Sequence, residues 1–300
     1  MQRFAFPFRA MAGENRIELY AHAAADAGHI AAVAVAEVQR IEAKYSRYRD
    51  DSIVTRINRR AGGAPVAIDA ETAQLLDYAE TCFGQSEGLF DITSGVLRRA
   101  WNFKGDRPPS EAEIAPLLPL IGWRKVERAT VGDGATVRLP RTGMEIDFGG
   151  FGKEYAADRA AAVLLAHGVR HAFVDLCGDV VVTGPHADGT PWALGIRHPR
   201  REGELLASLP IQSGAVATSG DYERFLVFEG RRYSHILHPR TGQSVESFQS
   251  VTAFAPSCLV AGSLTTIAML RGEQAGGAWL AASGASFVAV TGNGELLGNC

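Results

Sequence analysis

The sequence predicts an α+β fold in which mixed or antiparallel sheets pack against helices. Strand-like and helix-like patterns are interspersed without a strict βαβ rhythm, which argues against a doubly wound parallel sheet. No internal repeat, charge block or flexible linker divides residues 1–300, so one compact unit is expected, with room for a smaller inserted lobe near 99–140. The composition, 46% hydrophobic and 21% charged, is that of an ordinary globular chain and excludes disordered, collagenous and coiled-coil classes.

A net charge of −3 offers no basic face for a phosphate backbone, so a nucleic-acid partner is not expected. Cys82, Cys177, Cys258 and Cys300 are scattered without a CxxC pair and read as buried or free thiols. No apolar run reaches membrane-spanning length, and residues 1–21 lack an apolar stretch ahead of a cleavage site. The expectation is a cytoplasmic protein with no membrane anchor.

Taken in order, residues 4–21 read as a strand pair broken at Ala12-Gly13. Ile30, Ala34, Val38, Ile41 and Tyr45 then form one apolar stripe at helical spacing. Ser46–Ser52 is polar and turn-rich, ahead of Ile53–Asn58. Asp69 is placed to cap a helix whose Leu75, Leu76, Ala79 and Phe83 line one face until near Gly88. Ser110 and Glu113 fit a capping box for a short helix ending at Gly122, and Asp133-Gly134 reads as a hairpin turn. Residues 171–184, 192–199 and 206–212 are strand-like, whereas Gly214–Tyr222 is small and polar. A hairpin is expected to turn at Glu229-Gly230, an apolar helix to span 258–271, another to run through Trp279, and a last hairpin to turn at Asn293-Gly294.

Met144–Asp158 organises the rest. Met144, Ile146 and Phe148 alternate as in a strand, the chain breaks at Gly149-Gly150, and helical spacing begins after Phe151-Gly152. A strand-to-helix junction points backbone N–H groups and a positive dipole end one way, which suits a diphosphate; Lys153 would add charge there. An ordinary βα turn with a solvated lysine explains the same residues. No Ser-His-Asp order, HExxH, Walker loop or GxGxxG occurs in a fitting context. Five polar, glycine-containing segments instead lie at element boundaries: 46–52, 88–94, 147–158, 218–222 and 234–242. His235 and His238, three apart, would point to opposite faces of a strand, so a two-histidine metal site is not expected.

In order, these segments resemble the motifs of the ApbE family of FAD:protein FMN transferases over nearly the whole chain. Met11-Ala12-Gly13 sits where the family has a Met-Gly-Thr entry motif, a mild departure, and YSRYRDDSIVTRIN resembles a Ser-aromatic-acidic-Ser segment. GLFDITSGVLRRAW resembles the Phe-Asp-x-Thr segment, and IDFGGFGKEYAAD the Asp-x-Gly-Gly-x-x-Lys-Gly-Tyr-x-x-Asp motif. Thr218-Ser219-Gly220 and HILHPRTG match the Thr-Ser-Gly and His-Ile-x-Asp-Pro-x-Thr-Gly motifs. The resemblance implies a T-fold-like α+β architecture and transfer of FMN from FAD, with loss of AMP, to a threonine of a partner flavoprotein. It places flavin contacts at Met11, Tyr48, Leu89, Phe90, Asp91, Asp147, Lys153, Thr218, Ser219, Gly220, His235 and Ile236. It makes Asp147 and Lys153 the working residues, with Mg²⁺ at Gly150 and Thr266. Asp179 and Asp221 receive no catalytic role.

The chain departs from that pattern in specific places. The family's Ala-Asp-Ala-Leu-x-Thr helix reads Ala261-Gly262-Ser263-Leu264-Thr265-Thr266 here, so Gly262 replaces the metal-site aspartate. Glu154 stands where a glycine follows the lysine, and His238 where an aspartate precedes proline. Mg²⁺ leans on carboxylates and substrate phosphates, so loss of the aspartate is expected to weaken the site. Glu154 or Asp158 could supply the carboxylate, and Gly262→Asp is expected to strengthen Mg²⁺ binding. Two further readings stand beside transfer: an FAD-binding carrier, sensor or assembly factor, and an FAD pyrophosphatase.

Overall fold

In the computed structural model, which describes residues 1–132 and 134–299, the first strands behave as their pattern requires. Phe4, Phe6 and Phe8 alternate with exposed neighbours along β1 (Gln2–Ala10), which pairs antiparallel with β2 (Gly13–Ala21). Pro7 is tolerated because β1 is an edge strand. Helix α1 (Ala24–Tyr45) buries Ala27, Ala31, Ala34, Val38, Ile41 and Tyr45, a stripe wide enough to lie on the sheet. It is followed by α2 (Ile53–Arg59), capped by Ser52, then β3 (Val66–Ile68) and α3 (Ala70–Gln85). Asp69 caps α3 by accepting from Thr72 N at 2.9 Å, as its position predicts.

The Ser110–Glu113 capping box is present, but α4 (Glu111–Ile114) is shorter than expected. Pro116 and Pro119 lack amide protons, and the chain continues as turns and a 3₁₀ segment at Leu118–Leu120. Strands β4 (Glu127–Val131) and β5 (Gly134–Arg138) form the expected antiparallel pair and, with β3, a small sheet; Asp133 of the expected turn lies outside the described residues. Helix α5 (Gly152–Ala166) starts where the sequence places it. Then come β6 (Ala172–Leu176), β7 (Asp179–Val182), β8 (Trp192–Arg197) and β9 (Leu205–Ile211). Next are β10 (Gly214–Gly220), β11 (Phe225–Phe228), β12 (Arg231–Ser234) and β13 (Ser250–Ala255). Helices α6 (Cys258–Arg271) and α7 (Glu273–Ser283) precede β14 (Ser286–Val290) and β15 (Leu296–Gly298).

Among the described residues, eight strands form the main antiparallel sheet in the order β1-β2-β6-β7-β10-β13-β14-β15. Helices α1, α5 and α6 pack on one face and enclose the principal core, which includes Ile17, Leu76, Phe151, Leu164 and Val251. A smaller core of Phe173, Val180, Val182, Trp192, Ile211 and Val216 lies where the β8–β9 hairpin packs on the sheet. Every residue of β7 is therefore buried, Asp179 among them.

Two expectations fail here for physical reasons. Met144–Phe148 joins no sheet: its backbone bonds go to the Asn58 side chain and, from Asp147 N, to the Ile92 carbonyl at 2.9 Å rather than to a neighbouring strand. Asn58 bonds both the N–H and the C=O of Ile146, at 2.8 and 3.0 Å, and Glu145 pairs with Arg98 and Arg99. Conversely, the small, polar Gly214–Gly220 is a central strand that pairs with β13 from Ala215 to Gly220.

Candidate active site

The α5 N-terminus is set by Phe151, whose ring is fully buried. It packs at centroid distances of 5.1 Å from Phe148, 5.7 Å from Tyr78 and 6.2 Å from Phe90. That cluster fixes where the helix begins, and Lys153 follows on its first turn. The Lys153 Nζ sits 2.8 Å from Asp179 Oδ2; the lysine side chain is 30% exposed and the aspartate only 3%. Burial works against the Lys153 ammonium, but the Asp179 and then the Glu154 charges more than offset it, so its pKa is raised.

Asp179 is the site residue that the sequence did not reveal. β7 and β10 pair only from Val180↔Val216 to Val182↔Gly214, and beyond that the Asp179 carboxylate accepts from Thr218 N at 3.2 Å. A carboxylate thus replaces a ladder bond at the point where Thr218-Ser219-Gly220 passes the α5 N-terminus. The only available signal was an acidic residue opening the apolar run Val180–Val182. Asp221, by contrast, is held in an Arg200 fork at 2.6 Å, a loop-ordering arrangement.

Beside Lys153, Glu154 is buried and its Oε2 has no hydrogen-bond partner among the described residues. Desolvation first, and the Asp179 charge second, push its pKa well above the ordinary carboxylate value. A group that holds its proton more tightly when folded contributes most to stability below its unfolded pKa. That contribution is lost as pH rises through the folded pKa. In EDTA, the unfolding midpoint of Glu154→Gln should therefore gain on the parent chain as pH rises from the acidic range through neutrality. A difference independent of pH would contradict this.

Asp147 lies elsewhere. Its Oδ2 pairs with Arg47 and its Oδ1 accepts from Gly149 N at 2.9 Å, so both oxygens shape the loop leading to Gly150. A Cβ on Gly95 would stand 2.5 Å from that of Asp147, so only glycine fits there. Arg47 also donates to Tyr48 Oη at 2.8 Å, beneath an otherwise exposed ring. Lys153 and Asp147 thus have separate counter-ions, and no bond joins them.

On α6, the Thr265 and Thr266 hydroxyls share Ser219 Oγ at 2.9 and 3.1 Å, tying β10 to the helix. A Cβ at Gly220 would meet the Tyr222 ring at 2.5 Å. Asp158, one of the two spare carboxylates, is engaged at the α6 N-terminus, accepting from Cys258 N at 2.7 Å and Leu259 N at 2.9 Å. Asp158→Ala should cost about 1–3 kcal/mol, the range for a lost cap with buried donors left bare. An unchanged denaturant midpoint would contradict that assignment.

The remaining expected contacts lie at several loops. Met11 and Ala12 form the β1–β2 turn with φ 53° and 62°, a left-handed pair that strains two side-chain-bearing residues. Met11 N donates to Glu42 Oε1 at 2.7 Å. Phe90 is buried against Phe151 with Leu89 packed beside it. The Asp91 oxygens are taken by Thr93 and by Trp123 N at 2.9 Å. His235 and His238 follow the end of β12, so strand geometry does not govern them. The His235 imidazole is pushed down to about 4, first by its surroundings and then by the Arg224 charge, and it stays neutral near pH 7. Ile236 is buried beside it. A cavity of about 640 Å³ behind the 87–91 turn is lined by Asp91, Arg124 and Arg240, but not by Lys153, Asp179 or Thr266. Of the thiols, Cys82 and Cys258 are buried and Cys177 is partly exposed; Cys300 lies outside the described residues.

No cluster of three or more His, Cys, Asp or Glu that could hold a metal occurs among the described residues. The groups at the α5–α6 junction are oxygens: the unpartnered Glu154 carboxylate on α5, which faces Gly262 of α6, and on α6 the Thr266 hydroxyl, bonded to Ser219. Such a set suits a hard divalent cation completed by substrate phosphates, rather than a self-sufficient metal cage. The orphaned Glu154 oxygen makes the fit specific.

Fold and site together define a class: an antiparallel α+β scaffold presenting a lysine, hydroxyls and a cation-ready carboxylate at a helix N-terminus. The ApbE family model matches residues 11–289. The FAD:protein FMN transferase of Treponema pallidum is 34% identical over 252 residues, covering 79% of this chain and 70% of that protein. That of Vibrio cholerae is 30% identical over 246 residues, covering 80% and 72%. Among solved structures, the ApbE protein of Thermotoga maritima superposes with a TM-score of 0.90 at 31% identity, covering 99% of this chain and 97% of that one. The flavin transferase ApbE of Vibrio cholerae gives 0.85 at 25% identity, covering 99% and 97%. The chain belongs to the ApbE family.

Proposed function

We propose that this chain is an FAD:protein FMN transferase that moves FMN from FAD to a threonine of a partner flavoprotein and releases AMP. The threonine hydroxyl attacks the FMN-side phosphorus, the bond from that phosphorus to the bridging oxygen breaks so that this oxygen leaves on AMP, and the hydroxyl proton passes to solvent as the phosphoester forms. Such a displacement depends mainly on positioning and on neutralising charge on the diphosphate. The observation that carries the reading is Lys153, on the first turn of α5 after the Gly149-Gly150 loop, held charged by buried Asp179 in an ApbE-family chain.

In this reading Lys153 takes the diphosphate, and Asp147 with Arg47 holds the loop that presents it. Met11, Tyr48, Leu89, Phe90, Asp91, Thr218-Ser219-Gly220, His235 and Ile236 surround the FAD. Mg²⁺, held through the Gly150 carbonyl and the Thr266 hydroxyl, would add positive charge at the same diphosphate. The proposed compartment is the cytoplasm; no helix of the described residues is long and apolar enough to cross a membrane, and Cys82, Cys177 and Cys258 are unpaired.

Incubation with FAD, Mg²⁺ and a candidate acceptor flavoprotein tests the reading, with AMP release and acceptor-bound flavin fluorescence as readouts. Both are expected. FAD binding without either product would leave a carrier or sensor, and AMP with free FMN alone would mean a pyrophosphatase.

A further inference from the structure

Glu154 on α5 and Gly262 on α6 face each other. A Cβ built at Gly262 would stand 2.6 Å from Glu154 Cγ and 2.8 Å from its Oε1. The Glu154 carboxylate therefore fills the space a side chain at 262 would enter, and Glu154 would have to move to admit one. We infer that Glu154, reaching across from α5, is the anionic ligand of a divalent cation, in the place that a carboxylate on α6 at position 262 would occupy. The inference rests on the FMN-transfer reading and concerns which residue holds the cation.

Three observations converge on it. Glu154 is 9% exposed with Oε2 unpartnered, and an uncompensated buried carboxylate is costly enough that a stable fold needs something to neutralise it. The neighbouring Lys153 ammonium is bonded to Asp179, and Asp179 is itself an acceptor. Two adjacent carboxyl groups satisfy each other only by holding a proton or a cation between them. Secondly, the nearby alternatives are engaged: Asp158 by the α6 amides, Asp147 by Arg47 and Gly149 N. Thirdly, Thr266 lies one helical turn beyond Gly262, so its hydroxyl shares the face of α6 that carries position 262.

The geometry also reverses the expectation that Gly262→Asp alone would strengthen the site. With Glu154 in place, the new side chain meets buried Cγ and carboxylate atoms, and two carboxylates crowd one space.

The test is Mn²⁺ binding to the full chain with FAD present, followed by the electron paramagnetic resonance signal of free Mn²⁺. Glu154→Gln should weaken Mn²⁺ affinity roughly tenfold or more, since loss of even an outer partner of a metal ligand costs that much. Its unfolding midpoint in EDTA should not fall. Gly262→Asp alone should lower the midpoint, whereas Glu154→Gly combined with Gly262→Asp should recover both midpoint and affinity. Parental Mn²⁺ affinity in Glu154→Gln would overturn the inference, as would a folded exchange variant that fails to regain it. If the exchange variant does not fold, the Glu154→Gln titration decides alone. Glu154-dependent Mn²⁺ binding without FMN transfer would sink the transfer reading and leave this inference standing; transfer with Glu154-independent binding would do the reverse.

Discussion

Lys153→Met should lower FMN transfer roughly 10²–10³-fold, the loss typical of removing one preorganised group that stabilises transition-state charge. The same change leaves the Asp179 carboxylate, 3% exposed, without its counter-ion. Breaking a buried pair costs about 3–5 kcal/mol, and the 30% exposure of the lysine places this case at the lower end. Combining Lys153→Met with Asp179→Asn should restore most of the stability but none of the rate, since the amide needs no counter-ion and cannot replace the ammonium. A double variant that regained transfer would assign the chemistry to another residue.

Phe151→Ala should cost about 3–5 kcal/mol, as for other fully buried aromatic side chains. Its ring joins Phe148, Tyr78 and Phe90, and a Cβ at Gly150 would already stand 3.0 Å from Phe90. Emptying that cluster loosens the Gly149–Gly150 loop together with the core, so FAD affinity should fall in the protein that remains folded. Phe151→Leu, which keeps most of the volume, should lose less than half as much. A urea midpoint unchanged at constant slope would show that the ring does not anchor the helix start.

Local chemistry was legible in the sequence wherever it decides structure by itself. The α1 stripe, the Asp69 cap, the Ser110–Glu113 capping box and the strand pair broken at Ala12-Gly13 all follow from spacing and side-chain type. What could not be read depends on who lies opposite. Met144–Phe148 alternates like a strand, but its partners are the Asn58, Arg98 and Arg99 side chains and the Ile92 carbonyl. Gly214–Gly220 lacks the bulky residues that announce a strand, yet β13 pairs with it from Ala215 to Gly220. Asp179 was given no catalytic role from the sequence, because only the tertiary packing brings it to Lys153. Glu154 and Gly262 lie 108 positions apart; the sequence left Glu154 and Asp158 as equal candidates for the missing carboxylate, and the α5–α6 packing sets Glu154 against Gly262.

FMN transfer fixes where each phosphorus of FAD goes. FAD labelled on the FMN-side phosphate should leave its label on the acceptor threonine, and FAD labelled on the AMP-side phosphate should leave its label in free AMP, one for one. Both labels in solution while FAD is consumed, or both retained in bound FAD, would contradict the account.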